Sequence, residues 1–173
     1  MRTIALALFL AAPAVFAEES QLTDHPLQDV KAALQIPAGW ESTKEAEDGV
    51  YVYQFGKGKG PGSTSVTLSV TTGVPDRTGQ PPSEYAAALI DMSQDEGSES
   101  TVQKGEFQGM KSLRVEYDFD CETGRMHAVN VAIANDKTGT LYFFAWQTPL
   151  DESVEMEAIR EKILTSARFD PAF

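Results

Sequence analysis

Apolar and polar residues alternate without a break along residues 65–70. Val66, Leu68 and Val70 fall on one side, Ser65, Thr67 and Ser69 on the other. A period of two with one polar side predicts a half-buried β-strand. The alternation returns at 110–119, where Leu113, Val115, Tyr117 and Phe119 point inward and Ser112, Arg114, Glu116 and Asp118 outward. Val129, Val131 and Ile133 keep one phase in the next run, and TLYFFAWQ at 140–147 is a strong last strand. The short turns ETG and NDKTG join these three runs, so an antiparallel meander is expected. VYVYQF at 50–55 and STVQKGEFQG at 100–109 also read as strands.

Two segments change period. SEYAAALIDMSQDE, from about 83 to 96, predicts a helix capped by Ser83 and stopped by Gly97, with Tyr85, Leu89 and Met92 as its buried stripe. The second helix opens at TPLD, with Thr148 as cap, Pro149 as first helical residue and Asp151 closing a capping box. Met156, Ile159 and Ile163 line its inner side. Near the start, AALQIP is a first strand closed by Pro37 and Gly39, and Trp40 covers one end of the core. GKGKGPG at 56–62 lacks the pattern of a phosphate loop and reads as a hairpin connection, and 74–83 reads as a loop. The order of elements predicts an α+β fold: an antiparallel β-sheet meander covered by helices on one side.

Composition places this domain in the cell. MRTIALALFLAAPAVFA begins with Arg2, continues apolar and carries Val15 and Ala17 at the small-residue positions of a cleavage site. Residues 1–17 are therefore expected to be a secretory signal peptide, and the mature protein soluble and periplasmic in a bacterium. No cysteine follows the cleavage site, which argues against a lipid anchor. Residues 18–30 are polar and expected to be loosely ordered, leaving 31–170 as a single domain. The net charge of −12 becomes one unit more negative once Arg2 is removed, which disfavours nucleic acid and anionic membranes and favours basic partners or cations. Cys121 is the one cysteine, so no disulfide framework exists, and the flanking Asp120 and Glu122 disfavour its thiolate.

Candidate chemistry is sparse. His25 lies in the polar N-terminal segment and His127 shares the phase of Val129, and no nucleophile signature accompanies either. Zinc would need more Cys and His than the chain holds. DFDCETG at 118–124 fails as a calcium loop, because glycine falls at the seventh position and Val129 at the twelfth. Glu116, Asp118, Asp120 and Glu122 would share one strand face. This carboxylate row is a candidate for a basic partner or a weak divalent cation. Asp91, Asp95, Glu96 and Glu99 form a second cluster where acid opposes the helix dipole. No enzyme activity and no cofactor is expected.

The succession of IPAGW, SVTLSV, SEYAAALIDM, GMKSLRVEYDF, LYFFAWQTPL and ILTSARF resembles the PsbP-like fold superfamily over roughly residues 30–170. That superfamily includes the PsbP subunit of photosystem II, a Ran-binding nuclear-transport protein and the bacterial DcrB-like proteins. The resemblance implies an α/β/α sandwich, a non-enzymatic protein-binding role of accessory or chaperone type, and no active-site motif to carry over. Missing the anchoring cysteine of its lipoprotein members, the chain departs from a membrane-tethered role. The expected binding groups are Glu116, Asp118, Asp120, Glu122, Asp91, Asp95 and Glu96. Two alternatives stand beside this reading. One is an inhibitor or immunity protein against a secreted toxin, acting through loop 56–62 or 73–82. The other is a carrier of a small apolar ligand, in a cavity lined by Tyr142, Phe144 and Trp146.

Overall fold

Every strand among the described residues pairs antiparallel, in two sheets packed with helices. The computed structural model describes residues 21–58, 60, 62–96 and 100–173. The expected signal peptide, residues 18–20, Gly97 and Glu99 lie outside the described residues, as do the side chains of Asp95 and Glu96. The strands are β1 (Leu22–Leu27), β2 (Ala32–Pro37), β3 (Glu41–Glu47), β4 (Val50–Gly56), β5 (Ser65–Thr71), β6 (Gln103–Phe107), β7 (Met110–Cys121), β8 (Gly124–Asn135), β9 (Thr140–Pro149) and β10 (Arg168–Phe169). The helices are α1 (Val74–Thr78), α2 (Pro82–Glu96) and α3 (Ser153–Ser166). A seven-stranded sheet runs β3-β4-β5-β9-β8-β7-β6, and a smaller one β1-β2-β10. The meander β7-β8-β9 forms as its alternation and short turns predict. Strand β9 then pairs with β5, so the chain leaves the sheet through α1 and α2 and re-enters at the far edge.

The two long helices lie on opposite sides of the large sheet, where the strand order alone had put them on one. The cause is β8, which is apolar in both phases. Ala128, Ala132 and Ala134 face α2 with Val115, Tyr117 and Leu141, and their small side chains let Ala86 and Ile90 approach. Val129, Val131 and Ile133 face the other way, with Val66, Leu68, Tyr142, Phe144 and Trp146. This second core is closed by Met156 and Ile163 of α3 and by Leu34, Ile36 and Phe169 of the small sheet. A two-sided sheet of this kind must be covered twice.

The opening turn forms as expected. Trp40 N–H donates to the Pro37 carbonyl across Gly39, whose φ of +85° suits glycine, and the indole lies tilted against Trp146 at 5.9 Å. Elsewhere packing overrides local pattern. Residues 22–27, read as part of a loose segment, pair with β2 along their whole length. Met92 is 65% exposed and Ser93 is buried in its place, donating to the Leu89 carbonyl and accepting from Asn130 Nδ2. Thr148 caps no helix. It is buried in β9 opposite His127, its hydroxyl is hydrogen-bonded to that of Thr64, and a 3₁₀ turn at Leu150–Glu152 intervenes before α3.

Candidate functional site

Glu116 and Asp118 do share one face of β7, but that face looks towards α3, which brings cations over it. Arg114 on the same face donates to Glu161 of α3 through both terminal nitrogens, at 3.2 and 2.7 Å, and to Glu116 through Nε at 2.9 Å. His127 stands across from Asp118 in the β7–β8 register, with Nδ1 2.8 Å from Oδ1. Its Nε2 is 3.3 Å from Nη1 of the buried Arg160. A guanidinium can only donate, so Nε2 is placed to accept from Arg160 and Nδ1–H to donate to Asp118. Hydrogen bonds from Arg114 hold the Glu161 carboxyl below the usual carboxylate value, more than offsetting its burial. The same bond to Glu161 raises Arg114.

The carboxylate row is therefore a mixed network in which Arg114, His127 and Arg160 sit among the acids. Asp120 is exposed beyond it, and Glu122 lies in the turn, outside β7. Asp91 is exposed on α2, on the opposite side of the sheet from Glu116 and Asp118. Among the described residues no group of three or more His, Cys, Asp or Glu is placed to hold a metal ion. His25 lies in β1, its ring edge-on to Phe55 at 5.4 Å. The Cys121 thiol is lowered from its ordinary value, not raised, because hydrogen bonds from Thr123 outweigh the Asp120 charge.

The surface that sequence reading missed is half of the large sheet. Helix α2 packs on β7, β8 and β9. Among the described residues no helix packs on β5, β4 and β3 as α2 packs on its three strands. The cross-strand row Phe143, Ser69, Val52, Glu45 runs from beneath α2 out to the edge, and a parallel row runs Leu141, Thr71, Val50, Glu47. Val50, Val52, Ser69 and Thr71 are half-buried, while every residue of β3 is exposed. The charges of β3 are sorted by face: Lys44 turns to the other side, where it pairs with Asp29, while Glu45 and Glu47 edge the open half-sheet. A polar hollow of about 340 Å³ closes one end, between Thr43, Gln54, Ser65, Gln147 and the glycines of the 56–60 loop.

The loops and cavity of the alternative readings are differently built. Val74 is fully buried and its N–H donates to the Gly139 carbonyl, so 74–78 is a helix built into the fold. At the start of the 56–62 loop, Lys57 N–H donates to the Thr64 carbonyl and Lys57 Nζ is 3.2 Å from Glu152, while Lys59 and Pro61 lie outside the described residues. Tyr142 and Trp146 are buried in the core, packed by Phe169, whose ring centroid lies 4.0 Å from that of Tyr142, and by Trp40. Phe144 reaches a cleft of about 230 Å³ between β6–β7 and α3, floored by Val131 and Ile133.

This architecture is the PsbP-like fold. The cyanobacterial PsbP (CyanoP) from Synechocystis sp. PCC 6803 superposes with a TM-score of 0.59 at 12% identity, covering 93% of this chain and 99% of that one. The Saccharomyces cerevisiae Ran-binding protein Mog1p gives 0.51 at 11% identity, covering 87% and 96%. A protein of Bacteroides thetaiotaomicron gives 0.52 at 11%, covering 80% of this chain and 45% of its own. By sequence, the chain belongs to the serine/threonine kinase C-terminal domain family, whose sequence profile matches residues 30–169. The sequence contains none of the H-R-D, D-F-G or G-x-G-x-x-G signatures of a kinase catalytic domain. No curated protein matches the chain by sequence. No helix among the described residues is long and apolar enough to cross a membrane.

Proposed function

We propose that this chain is a non-catalytic, extracytoplasmic protein-binding domain whose partner seats on the open half-sheet of β3, β4 and β5. The observation that carries this reading is the uneven cover of the large sheet: α2 shields one half of its face and leaves ordered valines and hydroxyls of the other half in reach of solvent. Half-buried valines flanked by hydroxyls and rimmed by charge offer a partner an apolar line with a polar border. The family name agrees, since a domain attached to a kinase but lacking kinase motifs is suited to recognition. Mog1p, of the same fold, is a Ran-binding protein. The apolar, arginine-led first 17 residues support export to the periplasm.

The test is a photo-reactive side chain placed at Val52, with the same group at Asp91 on α2 as a control, in the full chain expressed in its host. A discrete protein adduct from Val52 and none from Asp91 is expected. An adduct pattern identical at both sites would sink the reading. Fusion of residues 1–30 to a phosphatase that is active only outside the cytoplasm tests export.

A second reading, carriage of a small apolar ligand, has the cleft beside Phe144 in its favour. Its volume of about 230 Å³ falls below the ~300–1,000 Å³ of ordinary ligand pockets, so it suits one side chain better than a lipid.

A further inference from the structure

The open half-sheet has a definite width and a definite charge, and together they specify an occupant. Strands lie ~4.8 Å apart and a helix with its side chains is ~10 Å across, so one helix covers about two strand spacings. Helix α2 takes β7, β8 and β9; the strip from β5 through β4 to β3 spans two further spacings. That is room for one more helix, laid beside α2. Along the strip Val50 and Val52 offer a narrow apolar line, Ser69 and Thr71 flank it inside, and Glu45 and Glu47 flank it outside. Alternate residues of a strand repeat every ~6.8 Å and helix residues four apart every ~6 Å, so basic residues at i and i+4 meet the two carboxylates in turn.

A second copy of this chain is disfavoured by charge. A two-fold pairing that lays β3 on β3 sets the acidic edge against itself, and any pairing joins two chains each at −12. We propose that the partner presents an amphipathic helix with a small-residue apolar stripe and a lysine- or arginine-rich flank, docked along β3–β5 with its basic flank on Glu45 and Glu47. This rests on the protein-binding reading above and narrows it to one chemistry.

The experiment uses the photo-reactive group at Val52 in the full chain, in a wild-type background and in Glu45→Lys/Glu47→Lys and Glu45→Gln/Glu47→Gln. The captured peptide is sequenced by mass spectrometry. The β3 side chains are exposed, and thermal melts of each variant check that the fold is kept. The expected result is a captured segment with several Lys or Arg on a 3.6-residue period. Its yield falls at least tenfold in the lysine variant, by less in the glutamine variant, and strongly in 0.5 M salt. Capture that survives both charge changes overturns the basic-helix inference while leaving the binding surface standing. Capture of a neutral or acidic segment, or of a second copy, does the same. No capture at Val52 in wild type overturns both.

Discussion

His127 Nδ1 and Asp118 Oδ1 are 2.8 Å apart, directly across the β7–β8 pair, and Arg160 of α3 closes the other side of the imidazole. The candidate acid that looks most available in the strand pattern is thus the acceptor that fixes a histidine. Asp118→Ala is expected to leave partner capture at Val52 unchanged. It should lower stability by about 1 kcal/mol, since the Nδ1–H loses its acceptor in a half-buried site. Urea denaturation beside the capture assay checks both. Loss of capture without loss of stability would return Asp118 to the binding surface.

The Arg114–Glu161 pair joins β7 to α3 and makes stability acid-sensitive. Glu161 is depressed in the folded protein, by its hydrogen bond from Arg114 against burial. A depressed carboxyl contributes stability above its unfolded value of about 4.3, and the contribution is lost as pH falls through the folded value. Both side chains are partly exposed, so the gain at pH 7 is below about 1 kcal/mol. Glu161→Gln should be slightly less stable than wild type at pH 7 and converge with it below pH ~4. Denaturation midpoints at pH 7, 4 and 3 measure this. Parallel curves would refute it.

Tyr142 is fully buried and its hydroxyl has no hydrogen-bond partner among the described residues. An unsatisfied buried hydroxyl costs about 1–3 kcal/mol, so Tyr142→Phe is expected to stabilise the protein by about 1 kcal/mol. Burial, with the Asp170 charge, pushes the phenol up to about 12. A raised acid contributes stability that is full below its unfolded value near 10 and disappears as pH rises through the folded one. Wild type should therefore lose stability between about pH 10 and 12 that Tyr142→Phe keeps. Thermal melts across that window read the difference. A destabilised phenylalanine variant would mean that the hydroxyl is satisfied.

Asp136, in the β8–β9 turn, caps a helix far from it in sequence. Its Oδ1 accepts the Ser83 N–H at 2.9 Å and its Oδ2 the Lys111 ammonium at 3.0 Å. Burial raises this carboxyl, but those bonds outweigh it and the net shift is downward. Asp136→Ala should cost about 1 kcal/mol, as helix caps do. Hydrogen exchange should quicken in the first turn of α2 while β9 stays protected. Uniform quickening would indicate a general loss of structure instead.

The alternating strands were legible because each writes its two faces into consecutive residues. Strand β3 was not. ESTKEAE has no apolar phase, and all its residues are exposed. Its one signal is Asp48–Gly49, a two-residue turn with φ of +47° and +72°, the D-G hairpin signature that locates a partner for VYVYQF. Ser93 replaced Met92 in the buried stripe because Asn130, on another element, needed a hydrogen-bonding partner there. Of the expected acid row, Glu116, Asp118 and Asp120 alternate along β7 while Glu122 falls in the turn, and Arg160 and Glu161 arrive over it from a helix more than thirty residues away in sequence.

Sequence alone determined the class of the molecule: an acidic α+β domain whose meander, opening turn and two long helices follow from local period and turn chemistry. Tertiary structure decided which of its faces are free. Whether a strand face is covered depends on where a helix distant in sequence comes to rest, and a helix is only about two strands wide. Placing α2 over β7–β9 buried one half of the sheet and left Val50, Val52, Glu45 and Glu47 as the surface on which function is proposed to rest.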